Sequence, residues 1–424
     1  MEDVEMEESK QKLEMEVAPA LIAVHPNQNS VSVSVGSDVR VFSLQDGSRV
    51  KLIDDNGVHK DSIRAIRYSK SGKLFVSAGD DKLVKIWDTN CWRCFCSVVS
   101  EKRVTSAAIS NDEMFVCFAD KFGVVYVVDI RNYDYENPAV MNKKAVPILS
   151  HYCSIITRLE FSPDGKYIVT ADRDFKIRVT VFPKEPLHGA HDIQSFCLGH
   201  TEFVSCITFV SNKDYTQGFL VSGSGDSTVR LWDYTSGSLL DMCDVGTKVV
   251  ELDLNQKSKF FKMIGIFLKK LYSSIPLKSN LISTSLCRNF LTKNLLKIVI
   301  DVKDEAFIPT CIGAPSSASI LWMVMGASTS QSKDSTPVAR VRAISDFGTK
   351  NGPLIVLGDH EIPGSEPLLQ ELQGKMLIGE EAFSTAAEAV KTAMRNLLIK
   401  KQYSTERREL KKKGRNDKKN KMRA

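Results

Sequence analysis

The sequence has no long apolar run. Its longest aliphatic stretches, such as Met263–Leu268, are far shorter than the roughly 20 residues that a membrane-spanning helix needs, so no membrane crossing is expected. The motifs of several chemistries are missing too. There is no Gly-rich phosphate loop ending in Gly-Lys-Ser/Thr and no His-Glu-x-x-His pair. There is also no strand-to-helix glycine turn of the S-adenosylmethionine type, and no Ser/His/Asp set in a recognisable context. Gly223 and Gly225 fall in a turn between strand-like runs, where they do not make a dinucleotide fingerprint. Zinc spacing is lacking as well. Ten cysteines are present, but their only cluster is Cys91-x-x-Cys94-x-Cys96, with no second ligand pair and no histidine close by among the seven. Buried or edge thiols are expected there, and neither a metal nor a cofactor. The opening MEDVEMEESK is acidic and lacks the apolar stretch of a signal peptide, which points to a protein inside the cell, cytosolic or nuclear; of the two, the nucleus is the expected compartment. The expectation is a chain without an active site of its own.

What is present is a repeat. Residues 199–233 read GHTEFVSCITFVSNKDYTQGFLVSGSGDSTVRLWD. Gly199-His200 opens the unit and Trp232-Asp233 closes it, with two apolar runs and a tight turn between them. This is the signature of one WD40 propeller blade. His200 is placed to bond Asp226 in the turn, and Ser222 to relay that bond to the Trp232 indole. Residues 59–88 repeat the pattern, with His59, Asp81, Trp87 and Asp88 in the corresponding places. The unit starting at His151 keeps Asp174 in the turn, but Thr180 replaces the tryptophan. Residues 104–130 carry Val128 in that position, and residues 20–44 end on Phe42. Period-two alternation, as in Thr228–Asp233, makes these runs strands, and Ser-Pro-Asp-Gly at 162–165 and Ser-Lys-Ser-Gly at 69–72 make the hairpins. A blade cannot bury both of its faces alone, so the units imply a ring. His200 and Asp226 resemble a catalytic pair, but their place in the repeat makes them structural.

The predicted class is all-β: a WD40 β-propeller of nominally seven blades, one of them atypical or disrupted around 255–300, followed by a helix and a basic tail. The expected division is an acidic segment at 1–16, blades over 17–250, an atypical basic segment at 251–303 and the remaining blade or blades over 304–380. A helix is expected at 381–400 and a disordered basic tail at 401–424. Net charge is +6 at pH 7, unevenly spread. Residues 255–300 hold nine Lys/Arg and no acid, and residues 401–424 hold eleven Lys/Arg against three acids. The middle segment lacks turn signals and a Gly-His or Trp-Asp pair. A divergent blade or surface insertion, a basic amphipathic helix and an atypical isoform or mistranslated gene segment are the readings open there, and the break in composition favours the last. The capping box Thr385-x-x-Glu388 starts the expected helix. Beyond it, Lys411, Lys412, Lys413, Lys418, Lys419 and Lys421 suit RNA phosphates or nuclear import, without aromatics for base stacking. A solvated, idle tail is the plainer alternative.

One pair of stretches is more specific than a generic propeller. Tyr167–Val179, containing ADRDFKIRV, is followed by Ile193–Ser205, containing SFCLGHTEFVS. The pair resembles the WD-repeat non-catalytic subunit of eukaryotic tRNA (guanine-N7)-methyltransferase, clearly over about residues 60–250 and more weakly over 304–405. The segment 255–300 departs from that family. The resemblance implies a heterodimer with a separate Rossmann-type subunit that binds S-adenosylmethionine and transfers the methyl group to a guanine in the tRNA variable loop. It also implies that Arg173, Lys176 and Arg178 lie at or beside the docking surface for that subunit. Alternation along the strand puts Lys176 and Arg178 on one face and Ile177 and Val179 on the other. An internal carboxylate partner for Arg178 is the plainer expectation, and Phe175 is expected to be tolerated. The competing function is a general WD40 scaffold, such as a ubiquitin-ligase substrate receptor or a chromatin adaptor.

Overall fold

Strands rich in valine, isoleucine, phenylalanine and serine make up nearly all of the secondary structure among the described residues. The computed structural model describes residues 20–55, 57–133, 143–151, 154–210, 217–244, 308–313, 320–327, 338–345 and 355–362. They form six four-stranded antiparallel meanders. Blade 1 contains β1 (Ala20–Val24), β2 (Ser30–Val35), β3 (Asp38–Ser43) and β4 (Arg49–Val50). Blade 2 contains β5 (Ile63–Tyr68), β6 (Leu74–Gly79), β7 (Leu83–Asp88) and β8 (Arg93–Val99). Blade 3 contains β9 (Val104–Ile109), β10 (Phe115–Asp120), β11 (Val124–Asp129) and β12 (Val146–Ser150). Blade 4 contains β13 (Ile156–Phe161), β14 (Tyr167–Asp172), β15 (Ile177–Val181) and β16 (Ile193–Cys197). Blade 5 contains β17 (Val204–Val210), β18 (Phe219–Ser224), β19 (Thr228–Asp233) and β20 (Ser238–Asp244). The last sheet contains β21 (Ile308–Gly313), β22 (Leu321–Ala327), β23 (Val338–Ser345) and β24 (Ile355–Val356).

The described residues thus make six blades, where seven are nominally expected. The basic segment 251–303, the helix at 381–400 and the tail at 401–424 lie outside them, and the range 304–380 contributes one sheet. The first strand of each blade lies innermost. Packing between inner strands runs from β21 to β1, β5, β9, β13 and β17 in turn. The core sits between the sheets. Leu74, Val76, Ile86 and Phe95 of blade 2 meet Val116, Phe118 and Val128 of blade 3. Phe115, Cys117 and Val127 of blade 3 meet Leu159 and Ile168 of blade 4. Val169 and Val179 of blade 4 meet Ile207, Leu220 and Trp232 of blade 5. The second strands β2, β6 and β10 are buried along their whole length because each is covered on both faces.

Two polar devices lock neighbouring segments. The inner strands of blades 3 and 4 carry a bulge at Thr105 and at Thr157. Each extra residue points its hydroxyl at the next blade: Thr105 donates to the Ile156 carbonyl at 2.7 Å, and Thr157 to the Val204 carbonyl at 2.5 Å. The fully buried Lys85 ties the segment before blade 2 to its third strand. Its ammonium donates to Asp54 Oδ2 and to the Gly57 carbonyl, both at 2.6 Å. Thr157→Val keeps the shape and removes the hydroxyl proton aimed at the Val204 carbonyl. Thermal or urea unfolding should then show a loss of about 1–3 kcal/mol, and an unchanged midpoint would remove the hydroxyl from the account of blade packing.

Candidate partner-docking surface

The turn between the second and third strands of each blade and the loop leading into its first strand meet at one end of the ring. In blade 5 this end is organised by one histidine. His200 Nδ1 lies 2.8 Å from Asp226 Oδ2, and its Nε2 lies 2.7 Å from Ser222 Oγ. Ser222 Oγ also accepts from the Trp232 indole N–H at 2.8 Å. With the serine proton on Nε2, the ring proton falls on Nδ1 and points at the carboxylate. Gly199 precedes the histidine at φ 145°, a backbone conformation that L side chains rarely adopt, and the Arg230 guanidinium lies over its Cα. Blade 2 repeats the arrangement through His59, Asp81, Ser77 and Trp87 at 2.8–3.0 Å.

Blade 4 corrects one expectation. Asp172, and not Asp174, faces the histidine: His151 Nδ1 lies 3.2 Å from Asp172 Oδ2, with Nε2 2.8 Å from Thr170 Oγ1. The reason lies in the turn. Asp172 Oδ1 collects the amides of Asp174 and Lys176 at 2.8 and 3.0 Å, which closes the loop and leaves Oδ2 for the ring. Phe175 occupies the left-handed position of this turn, φ 72°, which Lys82 and Ser227 occupy in blades 2 and 5. Its ring is exposed.

The three basic residues singled out by the sequence lie on this turn and the strand that leaves it, but they do not behave alike. Lys176 is exposed. Arg173 is partly buried, its Nε has no hydrogen bond among the described residues, and burial lowers its affinity for the proton, with Asp174 partly offsetting this. Arg178, on β15, is partly buried and reaches across to blade 3. Its Nη1 donates to the Ser150 carbonyl at 3.2 Å and its Nε to Thr180 Oγ1 at 3.3 Å. Among the described residues it has no carboxylate partner, contrary to the plainer expectation, and burial alone pulls its pKa down. Thr180, in the tryptophan position, thus anchors an arginine.

The same end of blade 3 holds a feature that sequence reasoning missed. Phe122, 54 % exposed, lies in the β10–β11 turn with Lys102 Nζ and Lys121 Nζ each 5.5 Å from its ring centre. The signal was Lys121-Phe122-Gly123 in the turn of a degenerate blade. The expected tail lysines 411, 412, 413, 418 and 419 lie outside the described residues. Cys94 and Cys96 are buried, and burial pushes their thiols to about 12 and about 11, while Cys91 is exposed. Among the described residues no group of three or more His, Cys, Asp or Glu is placed to hold a metal, and no helix is long and apolar enough to cross a membrane.

Four-stranded meanders packed inner strand to inner strand, with a histidine–serine–tryptophan tie in two of them, define a WD40 β-propeller. Residues 52–88 match the family model described as "WD domain, G-beta repeat", and residues 141–280 match "tRNA methyltransferase TRM82 WD40 domain". Over 248 residues the chain is 30% identical to the tRNA (guanine-N(7)-)-methyltransferase non-catalytic subunit wdr4 of Dictyostelium discoideum, covering 55% of this chain and 50% of that protein. It is 36% identical to WDR4 of Homo sapiens, covering 47% and 44%, and 38% identical to wdr4 of Danio rerio, covering 49% and 45%. Both are also described as the non-catalytic subunit. The chain spans about half the length of these curated relatives. The likeness implied by ADRDFKIRV and SFCLGHTEFVS is therefore present: this chain is similar to the WD-repeat non-catalytic subunit.

Asp226 gives the site a pH signature. Burial opposes its charge, but the Thr228 hydroxyl, His200 and the Thr201 amide outweigh that and hold its carboxyl at about 2. A depressed carboxylate contributes stability above its unfolded pKa of roughly 4 and loses it as pH falls through the folded value, here about 2 kcal/mol. His200, held low mainly by burial, adds a decline in the same direction below its unfolded pKa of roughly 6.5. Asp226→Ala should cost about 1–3 kcal/mol at neutral pH and flatten the unfolding-midpoint curve between pH 4 and pH 2. A mutant curve parallel to the parent's would sink this reading.

Proposed function

We propose that this chain is the non-catalytic subunit of a tRNA (guanine-N7)-methyltransferase. In this reading it holds a separate Rossmann-type catalytic subunit and helps to position tRNA. The observation that carries the proposal is the match of residues 141–280, which include blades 4 and 5 and the ADRDFKIRV turn, to the tRNA methyltransferase TRM82 WD40 domain, together with the likeness to subunits of that description. The docking face is the shared end of blades 3 and 4. Lys176 supplies a solvated charge there, Arg178 an oriented one, and Phe122 an aromatic anchor between two lysines. Such a face suits an acidic surface with an apolar notch. The methyl donor and the transfer chemistry belong to the partner subunit. The basic tail at 401–424 adds phosphate contacts and a nuclear address.

The chain alone should methylate no RNA, and with the catalytic subunit added tRNA should gain N7-methylguanine. S-adenosylmethionine-dependent activity of the isolated chain would overturn this reading. Recovery of the chain from cells with a ubiquitin ligase or chromatin complex, and without a methyltransferase, would favour a general scaffold. Lys176→Glu should weaken the heterodimer while leaving the melting temperature unchanged. Arg178→Leu should weaken it and also lower blade stability, by about 1.5–3 kcal/mol in sum. Wild-type affinity in both variants would move the docking face elsewhere.

Deletion after Lys400 should leave the heterodimer intact and weaken tRNA binding. It should also reduce the slope of log affinity against log salt, by just under one unit for each phosphate that the tail neutralises. Parallel salt plots of equal affinity would mean that the tail does not touch the RNA.

A further inference from the structure

Inner strands from several blades bring a charged cluster to the propeller axis. Arg67 on β5 donates from Nη2 to Glu160 Oε1 on β13 at 3.1 Å, although the two blades are not neighbours in the ring. The bond therefore passes over the inner strand of blade 3, which packs between the two. Arg158 lies on the same strand as Glu160, two residues away, so both project to one side. Leu159 between them is buried against blade 3. Among the described residues Arg158 makes a single hydrogen bond, from Nη1 to the Thr157 carbonyl at 3.2 Å. Among the described residues, Arg67, Glu160 and the thiols of Cys206 on β17 and Cys311 on β21 lie within electrostatic reach. Burial keeps the Cys206 thiol protonated. Glu160 is already engaged by Arg67. Among the described residues the cluster thus holds two guanidinium groups and one carboxylate.

An arginine does not shed its proton to escape such a position. A partly desolvated charge without a counter-charge is unfavourable, and a small mobile anion cures it without any change in the protein. The remaining N–H groups of Arg158 form a planar fork matched to the paired oxygens of an oxyanion. We propose that the channel of this propeller contains an oxyanion site at Arg158, framed by Arg67, Cys206 and Cys311, that takes phosphate. The phosphate is either a free ion or the terminal group of a nucleotide entering the channel mouth.

Inorganic phosphate is the probe, titrated into the full-length chain by calorimetry and by thermal unfolding, with sodium chloride matching the ionic strength. The wild type should bind phosphate saturably and unfold at a higher temperature with it. Arg158→Gln should bind about tenfold more weakly or worse and should unfold no earlier than the wild type in phosphate-free buffer, since it removes the unbalanced charge. Glu160→Gln works in the opposite direction: with one negative charge fewer in the cluster it should bind phosphate several-fold more tightly. Adenosine monophosphate that competes with phosphate identifies a nucleotide phosphate as the occupant. Phosphate binding that adenosine monophosphate leaves untouched identifies the free ion, and either result supports the site. Equal phosphate response in the wild type and Arg158→Gln, no response beyond that to chloride, or weaker binding in Glu160→Gln would each overturn the proposal.

Discussion

A four-stranded sheet in this protein has two apolar faces and no means of covering either alone. Everything else in the structure follows from that constraint. Strands such as β2 and β10 are buried from end to end, which requires a sheet on each side. The apolar clusters accordingly lie between consecutive blades and draw on both. The bulged threonines are the polar counterpart. Inserting one residue into an inner strand frees a hydroxyl to reach the neighbouring blade, so the same irregularity that bends the strand also joins the sheets.

The histidine network is secondary to this packing, which explains why it decays from blade to blade. Blades 2 and 5 carry the full tie through a serine to tryptophan. Blade 4 keeps the histidine and its acid but bonds a threonine and lacks the indole. Blade 3 places Val128 in the tryptophan position, and blade 1 places Phe42 there, both fully buried against a neighbour. Burial at that position, by side chains of very different size, is what the blades share. The hydrogen bonds add register and hold the loops.

This division also sets what was legible in the sequence. Gly199-His200 and Trp232-Asp233 announce a blade because their spacing is tied to one covalent stretch. The acid of blade 4 was not legible: Asp172 and Asp174 both sit in the turn, and only the amides gathered by Asp172 decide between them. Thr105 and Thr157 were missed because a bulge is a register shift, which alternation does not encode. The Arg67–Glu160 pair joins residues 93 apart on the inner strands of blades 2 and 4, and no local pattern links them. The exposed Phe122 was missed because its blade is degenerate, so its turn drew no attention as a surface.

The contrast between Arg230 and Arg178 connects the scaffold to its surface. The two occupy equivalent register positions, paired with Ser222 and Thr170. In blade 5 the guanidinium lies 3.8 Å from Asp226 and against the Trp232 ring, so its charge is largely answered inside the blade. In blade 4 the tryptophan is gone, the histidine's acid has moved to Asp172, and Arg178 is held by a carbonyl and a hydroxyl. Neutral oxygens fix the direction of a guanidinium without cancelling its charge. A blade that has given up part of its internal network thereby holds an aimed cation with no carboxylate partner among the described residues, the kind of group that suits a partner bringing its own carboxylate.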